Sequence, residues 1–314
     1  MIVRHGIAAA LALAAIAADR AAAQAEERVA PVAVTGVVFH DRNGNGTRDP
    51  GEPGIAGARV SDQITVVTTD REGRFSLEAG GYGVVFVSHP SGFSGRGPVW
   101  RRVVAGQPLE FPLVARSAST SFTFIHASDT HIHPGNVERT RRLRALVDSL
   151  KPAFVLISGD LIRDALRVGE PPARAENELF DREIAQFPVP VYPVPGNHDI
   201  FAIERHRSLV GADHPLYGKR MYRSFRGPNY YSFDWGGIHF IGFDTVDFWD
   251  LSYFGRVDSA QVGWLARDLA ATPATMPVVT FNHIPFVSGA QSIDGYDDES
   301  VAPTVTRHEG QSWF

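Results

Sequence analysis

Between Phe122 and Phe281, short apolar runs alternate with amphipathic helical stretches, and this alternation restricts the fold more than any other feature of the chain. Phe122–Ile125, Phe154–Ile157, Val189–Val194, Tyr230–Asp234, Ile238–Phe243 and Val278–Phe281 read as strands. Helices are expected near Val137–Leu150, Ala175–Gln186 and Ser259–Leu269. In the first of these, Val137, Leu143, Val147 and Leu150 can share one apolar stripe. Arg139, Arg141, Arg142 and Arg144 largely fall elsewhere and read as a solvated face rather than as phosphate binders. Strand–helix alternation predicts an α/β domain, whose chemistry collects on loops at the strand ends.

Four of the strand runs are followed by polar clusters. The first is His126-Ala127-Ser128-Asp129-Thr130-His131, and the second is Ser158-Gly159-Asp160-Leu161 with Asp164 beyond it. The third is Pro195-Gly196-Asn197-His198-Asp199, and the fourth is Asn282-His283-Ile284-Pro285. Alone, each reads as a turn or a helix cap. In this order, each behind an apolar run, they deliver hard and borderline metal donors to one end of a sheet. Cysteine is absent, so any metal must use imidazole, carboxylate or amide oxygen, a set that suits Mn, Fe or Zn.

These clusters resemble the signature of the calcineurin-like metallophosphoesterases: D-x-H, G-D, G-N-H-D and a later single His. The likeness covers Phe122 to Pro285, and Asn229–Asp234 with Gly236–Phe240 is similar to the family's hairpin. It implies a two-sheet sandwich flanked by helices and hydrolysis of phosphate mono- or diesters by a hydroxide activated between two metal ions. By the same resemblance, Asp129 and His131 bind the first ion, Asp160 bridges both, and Asn197 and His283 bind the second. His198 stands beside the leaving group, and Asp199 orients its imidazole. Two other readings stay open: a phosphodiesterase specific for nucleotides, and a non-catalytic calcium-binding surface module carrying a degenerate phosphoesterase domain. The family's final G-H-x-H is missing, and only His308 follows Pro285. The expectation is a chain cut short before its last ligands, one that holds metal weakly.

The N-terminal third has another texture. From Val32 to about Ala115 it is rich in Gly, Val, Thr and Pro, with strands expected at Val32–Val38, Arg59–Ile64, Thr65–Thr69, Arg74–Leu77, Gly83–Val87 and Leu109–Leu113. Short strands without helical period predict a small all-β sandwich over residues 30–116, joined through Ser117–Ser121 to a catalytic domain over 121–314. The loop Asp41–Glu52 places Asp41, Asn43, Asn45, Asp49 and Glu52 at calcium-loop positions, with Gly46 at the turn. No helix flanks it, so the expectation is a structural calcium site on a β-sandwich rather than an EF-hand. The Gly/Pro-rich stretch Ser88–Arg102 reads as a surface loop against the linker. A second reading has it reach the cleft with His89, Trp100 or Arg101.

Residues 1–25 read as a secretory leader, with Arg4 and His5 first, an apolar run Ile7–Ala17, and Ala23-Gln24-Ala25 as the cleavage site. The run is about half of what spans a bilayer, and no later segment has that length. The expected location is therefore periplasmic or extracellular. Hydrophobic residues at 44% allow a full core, and a net charge of −5 with no dominant basic run gives no argument for a nucleic-acid partner. A small phosphate ester would find its cations in the metals.

Overall fold

The computed structural model describes residues 28–95, 97–116 and 119–286, with the backbone of 307–308 and 311–312. The leader segment 1–25 and part of the linker lie outside the described residues.

The N-terminal strands are β1 (Val32–His40), β2 (Arg59–Ser61), β3 (Val66–Thr68), β4 (Arg74–Ala79), β5 (Val84–Ser88), β6 (Phe93–Ser94), β7 (Trp100–Arg102) and β8 (Leu109–Ala115). They form two four-stranded sheets, β4-β1-β8-β6 and β3-β2-β5-β7. Alternation decides the packing. In β4, Phe75, Leu77 and Ala79 are buried while Arg74, Ser76 and Glu78 are exposed. The inward residues meet Val34, Val38, Val60, Val85, Val87 and Phe111 in one core between the sheets. The tight connector Asp70–Gly73 closes as expected. Gly73 takes φ +76, and the Asp70 carboxylate accepts the backbone N–H groups of Glu72 and Arg74.

The second part begins with β9 (Ile125–Ala127), α1 (Val137–Leu150), β10 (Val155–Ser158), α2 (Glu170–Ile184) and β11 (Val191–Val194). Short helices α3 (Arg205–Ser208) and α4 (Arg220–Arg226) follow, then β12 (Tyr231–Trp235), β13 (Ile238–Gly242), the hairpin β14 (Val246–Trp249) and β15 (Ser252–Gly255), α5 (Ser259–Ala270) and β16 (Val278–Phe281). A two-stranded pairing, β17 (Arg307–His308) with β18 (Gln311–Ser312), completes the described chain.

Strands β11-β10-β9 make a parallel sheet, and β12-β13-β16 make a mixed one. Their facing sides trap Phe154, Leu156, Tyr192, Val194, Phe233, Phe240 and Phe281. The outer face of the parallel sheet puts Val155 and Ile157 against Val147, Phe180 and Met221 of the helices. The outer face of the mixed sheet puts Ile241 against Trp264 and Leu265 of α5. The result is a two-sheet sandwich flanked by helices, preceded by a small all-β sandwich.

Several boundaries differ from expectation. The first strand of the parallel sheet is Ile125–Ala127 rather than Phe122–Ile125, because Phe122 and Phe124 pack their rings on Phe154. Helix α2 starts at Glu170, five residues before the expected Ala175, since Pro171 and Pro172 lie in its first turn, where missing N–H groups cost nothing. Arg141 and Arg144 of α1 are not purely solvated, because both pair with Glu183 of α2. The stretch Ser88–Arg102 is not a loose loop. It carries β6 and β7, and the three side chains named for the cleft have other partners. His89 is buried and bonds Tyr192 Oη at 2.9 Å, Trp100 rests against Gly227, and Arg101 donates to the carbonyls of Pro98 and Trp100.

Candidate metal centre

The parallel strands all point their C-terminal ends the same way, so the loops behind β9, β10 and β11 meet there. Backbone bonds lock the first two side by side: Asp129 N to Gly159 O at 3.1 Å, His131 N to Asp160 O at 2.9 Å, and Ile132 N to Leu161 O at 3.0 Å. Asp129, His131 and Asp160 hold left-handed φ of 55°, 40° and 52°. Such conformations are costly for non-glycine residues and persist only where the surroundings impose them. The third loop is the 3-10 turn Asn197–Asp199, and the fourth follows β16.

Glycine makes the close approach possible. A Cβ on Gly196 would lie 2.2 Å from Asp160 N and Oδ1, and one on Gly159 would lie 2.6 Å from the His283 ring. No larger side chain fits at either place without moving the loops.

Asp160 sits at the centre, its side chain 6% exposed. Its Oδ2 lies 3.3 Å from His131 Nε2, which is 3.7 Å from Asp129 Oδ1. Its Oδ1 lies 3.4 Å from His283 Nε2, which is 3.1 Å from Asn197 Oδ1. The two oxygens of one carboxylate thus face two separate donor pairs. Two groups of ligand atoms converge within 4.8 Å: His131, Asp160 and His198, and Asp129, Asp160 and His283.

The hydrogen-bond chemistry tests whether these donors suit a cation. The Ser158 carbonyl lies 2.9 Å from His283 Nδ1 and accepts a hydrogen bond from its N–H. That leaves the Nε2 lone pair aimed at the oxygens of Asn197 and Asp160, three acceptors facing one another, an arrangement that a positive ion resolves. Imidazole, carboxylate and amide oxygen together suit a borderline transition metal. The donor set fits.

His198 Nδ1 lies 2.7 Å from the Arg163 carbonyl and 3.8 Å from Asp164 Oδ1, and its ring stands edge-on to that of His131 at 4.7 Å. Its backbone N–H donates to Asp160 Oδ1 at 2.9 Å. Asp199 does not orient this imidazole. Its buried carboxylate accepts the backbone N–H of Gly196 at 2.7 Å, of Leu161 at 3.1 Å and of Ile162 at 3.4 Å. Burial and then the charge of Asp160 push its pKa up to about 6. Asp199 ties the third loop to the second, while the partners of His198 come from Arg163 and Asp164.

Of the five predicted calcium-loop side chains, Asn43 and Asn45 meet at Asp49, while the carboxylates of Asp41 and Glu52 are taken up by backbone N–H groups of the same loop. Asp41 Oδ1 accepts from the N–H groups of Gly44 and Asn45, and its Oδ2 from Gly46. Asn43 and Asn45 both donate to Asp49 Oδ2, and Glu52 accepts from Arg42 N and Asp49 N.

Among the described residues, no helix is long and apolar enough to cross a membrane. A family model described as SdrD B-like domain matches residues 32–96, and one described as calcineurin-like phosphoesterase matches residues 122–309. A search of curated proteins finds no match to the chain. The second match spans more than half of the sequence and every loop of the metal centre. The chain belongs to the calcineurin-like phosphoesterases, a family whose membership supports metal-dependent hydrolysis of phosphoesters.

Proposed function

We propose that this chain hydrolyses small phosphate mono- or diesters at a centre holding two transition-metal ions, Mn, Fe or Zn. The observation that carries the reading is the placement of Asp160, with one oxygen toward Asp129 and His131 and the other toward Asn197 and His283. In this reading Asp129 and His131 hold one ion, Asn197 and His283 hold the other, and Asp160 joins them. When bound, the ions supply Lewis acidity to the phosphate and lower the pKa of a water.

The chain's own groups do the remainder. The Ser158 carbonyl fixes the His283 ring so that Nε2 faces inward. The Arg163 carbonyl fixes His198 by Nδ1, which leaves Nε2 toward the cleft, placed to hand a proton to the leaving oxygen. Asp164 stands on the same side of the ring as that carbonyl.

The test is hydrolysis of aryl phosphate mono- and diesters by the chelated protein, then with Mn, Fe or Zn restored, alongside Asp160→Asn. Activity that returns with metal in the parent chain, and with none in Asp160→Asn, supports the reading. Equal rates with and without metal would sink it. The ratio of the two ester rates decides between mono- and diesterase.

The loop Asp41–Glu52 is proposed as a structural calcium site, since three carboxylates and two amides on one turn form a hard oxygen set. Calcium at a hundredfold over its Kd stabilises by about 2.7 kcal/mol. An unchanged Tm of the full chain between chelator and millimolar calcium rules the site out. The leader is proposed to be cleaved after Ala25 on export, and a mature protein still carrying Met1 would refute that.

A further inference from the structure

Glu176 is a buried acid that the proposed reaction does not use. It lies on α2, 4% exposed, and faces the loop that follows β10. Its Oε2 accepts the backbone N–H of Asp164 at 3.2 Å, and its Oε1 pairs with Arg163 Nη2 at 2.8 Å. The Asp164 N–H belongs to the same peptide unit as the Arg163 carbonyl. That carbonyl lies 2.7 Å from His198 Nδ1 and, by a longer contact, 3.4 Å from His131 Nδ1. One amide therefore has a carboxylate on its N–H and two imidazoles on its oxygen. Other bonds hold the same loop nearby: Arg163 N donates to Ile132 O at 3.2 Å, and Ala165 N donates to His198 O at 2.8 Å. Neither of these involves the amide between Arg163 and Asp164.

We propose that Glu176 is a positioning residue, which acts through the Arg163–Asp164 peptide to hold the rings of His198 and His131 for the reaction. The inference rests on the proposed reading of His131 as a metal ligand and His198 as the proton donor. A peptide is planar, so its N–H and C=O cannot turn independently. Fixing the N–H on a buried carboxylate fixes where the carbonyl points. The carbonyl oxygen has two lone pairs and only accepts, so it can take both Nδ1–H groups. Each ring then presents Nε2 to the centre, and that of His131 lies 3.3 Å from Asp160 Oδ2. An anion on the N–H side also strengthens the carbonyl as an acceptor, because hydrogen bonds in a chain polarise one another. A ring free to swing would lose alignment, and small displacements at a reacting group are costly in rate.

A second buried acid on α2 offers the comparison. Glu183 is also 4% exposed, and it pairs with Arg141 and Arg144 of α1. It ties helix to helix. Glu176 instead ties a helix to the one peptide that the two histidines share. Its two partners differ in how easily they can be satisfied otherwise. The Arg163 guanidinium is 54% exposed, so water can take the place of Glu176 there. The Asp164 N–H is partly buried against the helix, so its acceptor is harder to replace. Burial pushes the Glu176 pKa above the usual carboxylate range, while the Asp164 N–H and the Arg163 charge oppose that shift.

The experiment compares Glu176→Met, Glu176→Gln and Glu183→Met in the full chain, with metal restored to saturation. Glu176→Met should lower kcat on aryl phosphates about tenfold to a hundredfold and leave KM within about twofold. Glu176→Gln should recover part of that loss, since its amide oxygen can still accept the Asp164 N–H. Glu183→Met should lower the Tm to a similar degree and keep the parent's kcat. An unchanged kcat in Glu176→Met, or an equal fall in the two Met variants, would overturn the proposal. A Glu176→Gln as slow as Glu176→Met would assign the effect to the Arg163 charge and overturn it as well. A second readout needs no activity. Nitrogen-15 spectra of the chelated parent at about pH 8, above the ordinary imidazole value, should show His131 and His198 as neutral rings with the proton on Nδ1. In Glu176→Met, His198 should become a mixture of both tautomers. Rings protonated on Nε2 in the parent, or an unchanged His198 in Glu176→Met, refute the role of Glu176. A parent that hydrolyses neither ester with any metal sinks the proposed function, and the spectra then decide the role of Glu176 by themselves. Should Glu176→Met fail to fold, Glu176→Gln decides: a kcat below the parent's at unchanged KM upholds the proposal, and the parent's kcat refutes it.

Discussion

At the scale of single residues, the proposed centre depends as much on what is missing as on its ligands. Gly196→Ala would drive a methyl group into Asp160, the group shared by both donor pairs. Bound metal per chain, read by elemental analysis, should fall by about tenfold to a hundredfold in affinity. His198→Ala should behave differently, with kcat lower by about two to four orders of magnitude and metal content near the parent's. If metal and rate fall together in His198→Ala, the proton-donor role is wrong. Asp129, His131, Asp160, Asn197, His198 and His283 were singled out in the sequence because each follows an apolar run and belongs to a spaced motif, and the fold brings their side chains together. The role given to Asp199 was misread. Adjacency in sequence suggested a contact with His198, but in the turn Asn197–Asp199 the two side chains point to different partners. The Arg163 carbonyl, which fixes His198, has no sequence signature at all, since every residue carries one.

At the scale of elements, alternation was a good guide where strands are half buried, as in β4, and α1 was bounded correctly at both ends. The misses have physical causes. Prolines at the start of α2 look like breakers but open the helix. The strands β6 and β7 are two and three residues long, below what periodicity can reveal. The hairpin β14–β15 was not among the expected strands, although Val246 and Phe248 are buried on one side of β14. The edge of the parallel sheet carries a liability. Strand β9 has no second neighbour among the described residues, and Phe124, Leu146 and Leu150 nearby in sequence and on α1 are 39%, 54% and 62% exposed. Open edges and apolar patches favour self-association. Leu146→Glu with Leu150→Lys should raise the concentration at which light scattering first increases and leave the Tm within about 1 °C. No change in the onset of scattering would show that this face is not where copies meet.

At the scale of the whole molecule, the two sandwiches are joined by the turn that follows β2. Besides Arg59 of β2, whose Nη2 donates to Asp234 Oδ1 at 2.6 Å, Trp264 Nε1 donates to Ser61 Oγ at 3.1 Å, Gln63 Nε2 donates to Asn229 Oδ1 at 3.0 Å, and Tyr230 Oη donates to the Gln63 carbonyl at 2.7 Å. Gln63 is fully buried at φ 74, a strained conformation held from both sides. None of this was legible. Arg59 lies 175 residues from Asp234, and Ser61 lies 203 from Trp264, so no local pattern links them. Those separations also set an order of events during synthesis. The small sandwich leaves the ribosome first and can close its own core. Its Arg59, Ser61 and Gln63 then wait in water until residues 229–268 have been made and folded, because their partners do not yet exist. Contacts this distant form late and slowly. The seam between the domains thus waits for residues 229–268, and a nascent chain stalled before Trp264 would expose the polar face that the finished molecule hides.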